Sequence, residues 1–415
     1  MEGKYNRKVM IANKPIHSHN RGPNQPIGII VFVVISSVVS VGTSLFSFYV
    51  LIIRSIPPFV AGSLFGFASA LGIPFTLIGG ILGSRYSVIR IFPLFVSISA
   101  LGYIGLAFSN NILMVGIFYV IVRATEYIPQ TLLPVLVSQN IQREKVGRFL
   151  GQINALGSGV AAVGMLLAGF IAQNIGFEML FLTVASLFIV SMILLVLYVP
   201  REIMQGMRLG QDKSDVRTKL KWIDYLTRHK SLLMISLAVM ILATGLYSDK
   251  FYPAFLSQKF FASTLSIAIF DAVMEIVYAA TNPIGGVIAD KFSPKTAATM
   301  GYSSMGIALF LFPFMPTLIS LYFVIALFSL GQSFGYFIIL TAIRSVDEKN
   351  ASTASGVVNT FTTIGISISG PVGGYFWTYI GQVNSFLIAL PVSLLSISML
   401  AFSQQRRRTN EDWTP

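Results

Sequence analysis

The sequence predicts an all-α membrane protein with twelve transmembrane helices, arranged as two pseudo-symmetric six-helix bundles. The chain of 415 residues is 54% hydrophobic and only 11% charged, whereas roughly a quarter of a soluble domain is charged. Its apolar residues gather in twelve spans, each near the ~20 residues that cross a bilayer core. A glycine pattern also returns after about half the chain, which indicates that one unit was duplicated.

The twelve apolar spans predict both the helices and the division of the chain. They lie at 27–51, 59–82, 91–108, 112–136, 151–172, 178–199, 232–248, 265–288, 296–313, 317–340, 355–378 and 384–403. The predicted parts are an N-terminal tail (1–26), a first bundle (27–199), a linker (200–231), a second bundle (232–403) and a C-terminal tail (404–415). Pro and Gly within the spans predict kinks that neighbouring helices accommodate.

The duplication is clearest in one nine-residue stretch. Residues 79–87 (GGILGSRYS) return as 285–293 (GGVIADKFS), an offset of 206 positions. A Gly-x-x-Asn element at 151–154 and 356–359, and a glycine at 164 and 370, repeat at nearly the same spacing. Because each unit holds six helices, an even number, the second unit enters the membrane in the same orientation as the first. The halves are therefore parallel repeats about an axis along the membrane normal.

The distribution of Lys and Arg predicts the orientation. Of the 29 Lys and Arg residues, 25 fall on the side that carries both tails and three on the other, while Arg123 lies within a span. Cytoplasmic segments carry such an excess, so both termini are predicted to be cytoplasmic in a multi-pass protein of the cell membrane. This bias accounts for the net charge of +13 without a nucleic-acid partner.

Several classes of function are excluded or disfavoured by what the sequence lacks. There is no cysteine, and neither a nucleophile–base set nor a GxxxxGK[ST] phosphate loop occurs. The three histidines lie in predicted cytoplasmic segments and are too few for a metal site. We therefore expect no enzyme activity, no cofactor and no metal. A non-transporting sensor, a membrane-embedded enzyme and a channel remain weaker alternatives.

Few charged residues lie within the apolar spans, where a charge costs ~2.5–3.5 kcal/mol on insertion scales. Arg123 and Glu126 are three residues apart on one helix face, so they form either a structural ion pair or a functional site. Asp271 and Glu275 lie in the eighth span. Asp271 is close enough to its end to reach water. Glu275 lies deeper, with no basic residue within its span, and is the first candidate for a proton carrier. The alternative is a structural pair with Arg123 across the interface between the halves.

The turn after the second span of each half resembles the signature loop of the major facilitator superfamily, Gly-x-x-x-Asp-Arg/Lys. The second copy contains Gly286, Asp290 and Lys291, while the first contains Gly80, Ser84 and Arg85 and so lacks the acidic residue. An aspartate at this turn can interact with the positive N-terminal end of a helix from the other half. These residues are predicted to gate the protein.

Two further resemblances concern the intramembrane arginine and the eleventh span. Arg123 matches an arginine that the superfamily carries in its fourth span, although Tyr127 stands where a glycine is expected. The eleventh span contains a helix-packing motif, Gly365, Gly370, Pro371 and Gly374. It is similar to a Gly-Pro motif that antiporters of the superfamily place in the fifth span.

The resemblance implies a secondary active transporter that works by alternating access, with a cavity lined by the first, fourth, seventh and tenth spans. The cavity-lining candidates are Ser40, Ser44, Tyr127, Gln130, Tyr247 and Gln332. The repeated Asn154 and Asn359 are expected to bridge helices rather than to contact substrate.

The resemblance and the residues together favour proton-coupled efflux of amphipathic, drug-like compounds. Proton-coupled uptake of a small metabolite, such as a sugar, an amino acid or an organic acid, is the alternative. The expected partners are a small-molecule substrate, protons and membrane lipids, with the protein acting as a monomer.

Overall fold

A computed structural model of the chain describes residues 37, 41–85, 88–125, 145–198, 229–246, 250–346 and 351–403. All regular structure within these ranges is helical. The helices are α1 (Val41–Ile53), α2 (Pro58–Arg85), α3 (Val88–Ala107), α4 (Ile112–Thr125), α5 (Val146–Asn174), α6 (Phe177–Tyr198), α7 (Lys230–Gly245), α8 (Thr264–Lys291), α9 (Pro294–Leu311), α10 (Leu318–Arg344), α11 (Ala351–Tyr375) and α12 (Gln382–Phe402). They correspond in order to the predicted spans, and the predicted fold class is confirmed.

Six of the described helices are both long and apolar enough to cross a membrane. They are Pro58–Phe75 within α2, Val146–Asn174, Thr264–Lys291, Pro294–Phe314, Leu318–Arg344 and Gln382–Phe402. Five further apolar helices in the described ranges are shorter. Only α11 is in neither group, because Ser, Thr and Gly residues lower its hydropathy. These are the properties of a multi-pass membrane protein.

Local sequence sets where the helices of the second half begin. Ser263, Ser293 and Thr317 precede α8, α9 and α10, and each side chain accepts a hydrogen bond from the backbone amide three residues later. Such caps satisfy amides that have no partner within a helix. Proline lies inside α8 at 283 and inside α11 at 371 without ending either helix.

A helix that the sequence did not predict lies between α7 and α8. It is short, Tyr252–Phe260, and we call it the α7 extension. The Phe255 ring packs on Phe312 and Phe386 at centroid distances of 5.6 and 5.1 Å. Lys259 donates a hydrogen bond of 2.8 Å to the carbonyl of Pro313. The predicted seventh span ends at 248, and the sequence predicts no helix between it and the eighth span.

Two helix pairs make the most extensive contacts between the halves in the described part of the chain: α5 with α8, and α2 with α11. The duplication relates these pairs, because α2 corresponds to α8 and α5 to α11. Both pairs rely on glycine for close approach. A Cβ atom on Gly286 would clash with the carbonyl of Gly147, and one on Gly370 would clash with the carbonyl of Gly62. Small residues at such crossings let backbones touch.

Candidate functional site

A cavity of about 630 Å³ lies between the two halves. Helices α4 and α5 of the first half line it, together with α7, α8, α9, α10 and α11 of the second. Its polar lining consists of Ser37, Arg123, Asn154, Ser158, Lys250, Glu275, Tyr278, Tyr302, Gln332, Tyr336, Asn359, Thr362 and Ser369. Its apolar lining includes Val239, Leu242, Leu246, Met305, Ile338, Ile339, Val358 and Ile366. The cavity is therefore amphipathic and has the volume of a small-molecule site.

Glu275 lies on α8 and lines this cavity, as does Arg123 on α4. The hydroxyl of Ser158, which comes from α5 of the other half, lies close to the Glu275 carboxyl and lines the same cavity. Glu275 is therefore a titratable group at the interface between the two halves. Glu126, the predicted partner of Arg123, lies outside the described residues.

Asp271 occupies a different environment from Glu275, one helical turn away. Its side chain is only 3% exposed, and it does not line the cavity. The Tyr252 hydroxyl of the α7 extension donates a hydrogen bond to Oδ1, while Oδ2 has no hydrogen-bond partner in the described part of the chain. The sequence predicts that Asp271 is close enough to the end of its span to reach water. The structure corrects this expectation, because the α7 extension covers the carboxyl.

Lys250 is a cavity residue that the sequence analysis placed in an external loop. It lies just before the α7 extension, and its Nζ is 3.4 Å from the Ser369 hydroxyl of α11. The signal that could have identified it is a charged residue between two apolar helical stretches. Because the α7 extension was not predicted, Lys250 was counted among the Lys and Arg residues of the external loops.

The repeated asparagines, which are expected to bridge helices rather than to contact substrate, also line the cavity. Asn154 on α5 and Asn359 on α11 occupy equivalent positions in the two halves. Tyr336 of α10 lines the same cavity. The Nδ2 atoms of both asparagines are buried and have no hydrogen-bond partner among the described residues.

The remaining cavity candidates are distributed unevenly. Gln332 on α10 lines the cavity. The Ser44 hydroxyl instead donates to the carbonyl of Val41 in its own helix, at 3.2 Å, and Ser44 does not line the cavity. Four further candidates lie outside the described residues: Ser40, Tyr127, Gln130 and Tyr247.

The second signature turn joins the halves through Asp290 at the end of α8. Its carboxylate oxygens accept hydrogen bonds from the first backbone amides of α5, Gly147 N at 3.2 Å and Arg148 N at 2.8 Å. An Arg344 guanidinium nitrogen from α10 lies 3.4 Å from Oδ1. A negative charge here satisfies helix-terminal amides and complements the helix dipole. We call this contact the Asp290 junction.

Other residues of the two turns contribute differently. Gly286 packs against Gly147 beside the Asp290 junction, whereas Lys291 is exposed. In the first copy, residues 80, 84 and 85 belong to α2. The side chains of Gly80, Ser84 and Arg85 lie outside the description.

The Gly-Pro motif of α11 forms the second junction between the halves. The backbone at Gly370 meets that at Gly62, Pro371 packs near Gly66, and Gly374 meets Pro58. We call this the Gly370 junction. Gly365, the first residue of the motif, instead approaches the Met240 carbonyl of α7. The motif therefore packs α11 against both α2 and α7.

The described residues contain no group of three or more His, Asp or Glu side chains able to hold a metal ion.

Comparison with known proteins places the fold. Residues 32–249 and 233–414 match the family model described as Major Facilitator Superfamily. No curated protein sequence matches the chain. Among solved structures, the nucleoside transporter NupG is similar with a TM-score of 0.71 and 14% identity, over 92% of this chain and 100% of that chain.

Two other solved structures are similar over most of their length. The human organic anion transporter MFSD10 (TETRAN) has a TM-score of 0.65 and 14% identity, over 91% of this chain and 99% of that chain. A bacterial homolog of the human lysosomal transporter Spinster, in an inward-facing and unoccupied conformation, has a TM-score of 0.63 and 15% identity. It covers 92% of this chain and 96% of that one. At these identities the likeness establishes the fold alone.

Proposed function

Because this chain belongs to the Major Facilitator Superfamily and is a multi-pass membrane transporter rather than an enzyme, we propose that it moves a small organic molecule by proton-coupled alternating access. The observation that carries the proposal is the cavity of about 630 Å³ between the halves, with Glu275 in its wall. Parallel repeats bind substrate at such an interface and rock about it.

The two junctions supply the contacts that the rocking must make and break. The Asp290 junction is polar and lies at one end of α5 and α8. The Gly370 junction is built from backbone and small residues and joins α2 to α11. Both junctions are formed in this structure, and we propose that opening one of them gives access to the cavity from that side.

Glu275 is the proposed proton carrier. A carboxyl in the wall of a membrane cavity is costly to keep charged and is a site of proton relay in many transporters. Its contact with Ser158 crosses the interface between the halves. We propose that this contact is made in one conformation and lost in the other. Protonation of Glu275 then shifts the equilibrium between the two conformations, which is what coupling requires.

The first candidate direction is efflux of amphipathic compounds. It is supported by the Gly-Pro motif at the Gly370 junction and by the apolar part of the lining, which includes Val239, Leu242 and Ile338. Such walls accept hydrophobic groups of varied shape.

A second candidate, proton-driven uptake of a small metabolite, is favoured by the polar part of the lining. Arg123, Lys250 and Gln332 supply more fixed polar groups than efflux of drug-like compounds requires. Polar groups at fixed positions give orientation and specificity to a bound ligand.

Flux in reconstituted vesicles tests the proposal. Vesicles containing the purified protein are given a pH gradient of either sign, and movement of a panel of labelled drugs, sugars, amino acids and organic acids is followed. We expect saturable flux that responds to the gradient. The direction relative to the proton gradient separates efflux by antiport from uptake by symport. Flux that is insensitive to both gradients would contradict proton coupling.

A further inference from the structure

We infer that Asn154 and Asn359 are a pair of substrate-binding residues, one in each half, that donate hydrogen bonds from their side-chain amides to the same molecule. That molecule is an organic compound with two acceptor groups, such as carbonyl oxygens or ring nitrogens, on an apolar body. The inference names the substrate contacts of the proposed transporter and so rests on the proposed function.

The positions of α5 and α11 that line the cavity correspond to each other under the duplication. On α5 they include Asn154, Gly157 and Ala161, and on α11 they include Asn359, Thr362 and Ile366. Each set has the spacing i, i+3, i+7, which is one face of a helix. The three pairs are all 205 positions apart (359 − 154, 362 − 157 and 366 − 161). Equivalent helix faces of the two halves therefore line one cavity.

Of these three pairs, only the asparagines share the same side chain. Glycine stands opposite threonine in the second pair, and alanine opposite isoleucine in the third. Parallel repeats place a substrate site where the two units meet. Identical amides at equivalent positions of that site offer the same donor to one molecule from both halves.

The side-chain nitrogen of neither asparagine holds helices together in the described part of the chain. Both Nδ2 atoms are buried and have no hydrogen-bond partner there. By comparison, Nδ2 of Asn282 on α8 donates a hydrogen bond of 3.0 Å to the carbonyl of Tyr278. An unsatisfied buried donor is unfavourable, and the terminal torsion of asparagine is broad. Rotation therefore lets each amide donate to an acceptor in the cavity, which a bound molecule supplies.

The other side chains of the lining indicate the body that carries the acceptors. Tyr278, Tyr302 and Tyr336 line the cavity beside aliphatic residues. Aromatic and aliphatic walls accept a flat, apolar group. Arg123 and Lys250 each have an interaction within the chain, and the proposed contact uses neither of them. The ligand is thus defined by its two acceptors and its apolar body.

A molecule held by both amides contacts both moving parts of the transporter. The two hydrogen bonds form together when the halves close around the ligand, so binding favours that conformation over the open ones. Loss of either amide should therefore weaken binding, although the two residues lie on different halves.

Thermal unfolding of the purified full-length protein separates this role from helix bridging. Asn154→Leu and Asn359→Leu each remove the amide and keep a similar volume. Without ligand their midpoints should be unchanged or raised, because an unsatisfied buried group is lost. Asn282→Leu is the matched control: it removes an amide that has a partner at a fully buried position, and it should lower the midpoint. A drop in either cavity variant as large as that of Asn282→Leu would show helix bridging and overturn the inference.

Protection of a thiol measures binding without transport. The chain has no native cysteine, and Thr362→Cys places one thiol in the cavity, about one turn from Asn359. Its reaction with the neutral reagent hydroxyethyl methanethiosulfonate is followed in the presence of the 1,2-, 1,3- and 1,4-isomers of diacetylbenzene. These probes carry two carbonyl acceptors at three separations. The corresponding diethylbenzenes have the same ring and a similar size but no acceptor.

We expect at least one diacetylbenzene to protect the thiol and the matching diethylbenzene not to. Asn154→Leu and Asn359→Leu should each weaken that protection roughly three- to tenfold, which corresponds to the loss of one hydrogen bond. Asn174→Leu, at an exposed position of α5 outside the cavity, should leave it unchanged. Equal protection by ketone and hydrocarbon would overturn the inference, and so would protection that survives in either cavity variant or no protection by any diacetylbenzene.

Neither readout depends on a proton gradient. A failure of proton-coupled flux, with protection that still requires both asparagines, would reject the proposed function and leave the binding pair standing. Proton-coupled flux without such protection would reject the pair and leave the proposed function standing.

Discussion

The carboxylate of Asp290 accepts a hydrogen bond of 2.8 Å from the backbone amide of Arg148, a residue of the opposite half. The donor is at the start of α5, where amides lack partners within the helix. The acceptor is at the end of α8, beside the close approach of Gly286 to Gly147. This contact makes the relative position of the halves depend on one charged side chain.

Replacing that charge should loosen the Asp290 junction. Asp290→Asn keeps one acceptor but loses the charge that favours a helix N-terminus, a loss of roughly 0.3–1 kcal/mol. We expect the population to shift toward conformations open at this end, which the sequence predicts to be inward-facing. Spin labels at Lys145→Cys and Phe292→Cys, both exposed and in opposite halves, report the separation.

The matched control for this measurement is Lys291→Gln, which removes a charge from the adjacent residue. No hydrogen bond joins Lys291 to α5 within the described part of the chain. Its distance distribution should resemble that of the parent. If Asp290→Asn and the parent give the same distribution, the junction does not control opening.

The Gly370 junction should tolerate no side chain. Gly370→Ala places a Cβ against the carbonyl of Gly62, and such overpacking costs about 1–3 kcal/mol. We expect a lower thermal unfolding midpoint in detergent and separation of α2 from α11.

Gly159→Ala is the control, because no described atom lies within 4 Å of a Cβ built there. It should be neutral or slightly stabilising, since alanine favours a helix over glycine by roughly 0.5–1 kcal/mol. Equal midpoints for the two alanine variants would show that the close approach at Gly370 is unimportant.

Glu275→Gln should uncouple transport from the pH gradient. The variant keeps the shape and contact with Ser158 but cannot carry a proton, so gradient-driven flux should fall at least tenfold while exchange of substrate across the membrane continues. Glu178→Gln makes the same change at an exposed position in the first turn of α6 and should retain driven flux. Driven flux that survives in Glu275→Gln would assign the proton to another group.

The contact between Tyr252 and Asp271 should stabilise the α7 extension. Tyr252→Phe removes the donor to a buried carboxyl and is expected to destabilise the protein by about 1–3 kcal/mol. Asp271→Asn in the same background should recover part of the loss, because an amide is cheaper than a carboxylate to bury. Thermal unfolding measures both variants. Tyr375→Phe, at a tyrosine that is 49% exposed, is the control and should leave the midpoint unchanged.

Much of the fold could be predicted from sequence. The twelve apolar spans predicted the number of helices, and the duplication predicted which helix of one half is equivalent to which helix of the other. The correspondence of residues 79–87 with 285–293 predicted that α2 and α8 are equivalent. It did not predict which helices of opposite halves meet. Nearly uniform apolar sequence leaves little difference between lipid-facing and protein-facing sides, as in α2 and α6.

The site was less predictable for a related reason. Glu275, Arg123 and Gln332 were identified because polar residues are rare in apolar spans. Lys250 was missed because it precedes a helix that the hydropathy pattern did not include. Asn154 and Asn359 were assigned to helix bridging because their spacing shows repetition but not the direction of a side chain. Those directions depend on how the two halves pack.

The central claim is that one cavity is reached from both sides of the membrane in turn. The most direct test uses Thr362→Cys protein in sealed, uniformly oriented vesicles, with the impermeant sulfonatoethyl methanethiosulfonate added either outside or inside. Alternating access predicts that the same thiol reacts from both sides. It also predicts that adding Lys145→Cys and Phe292→Cys, and joining these two with a flexible bifunctional thiol cross-linker across the Asp290 junction, abolishes reaction from that end alone. Reaction from one side only, whatever the substrate or pH gradient, would contradict the account.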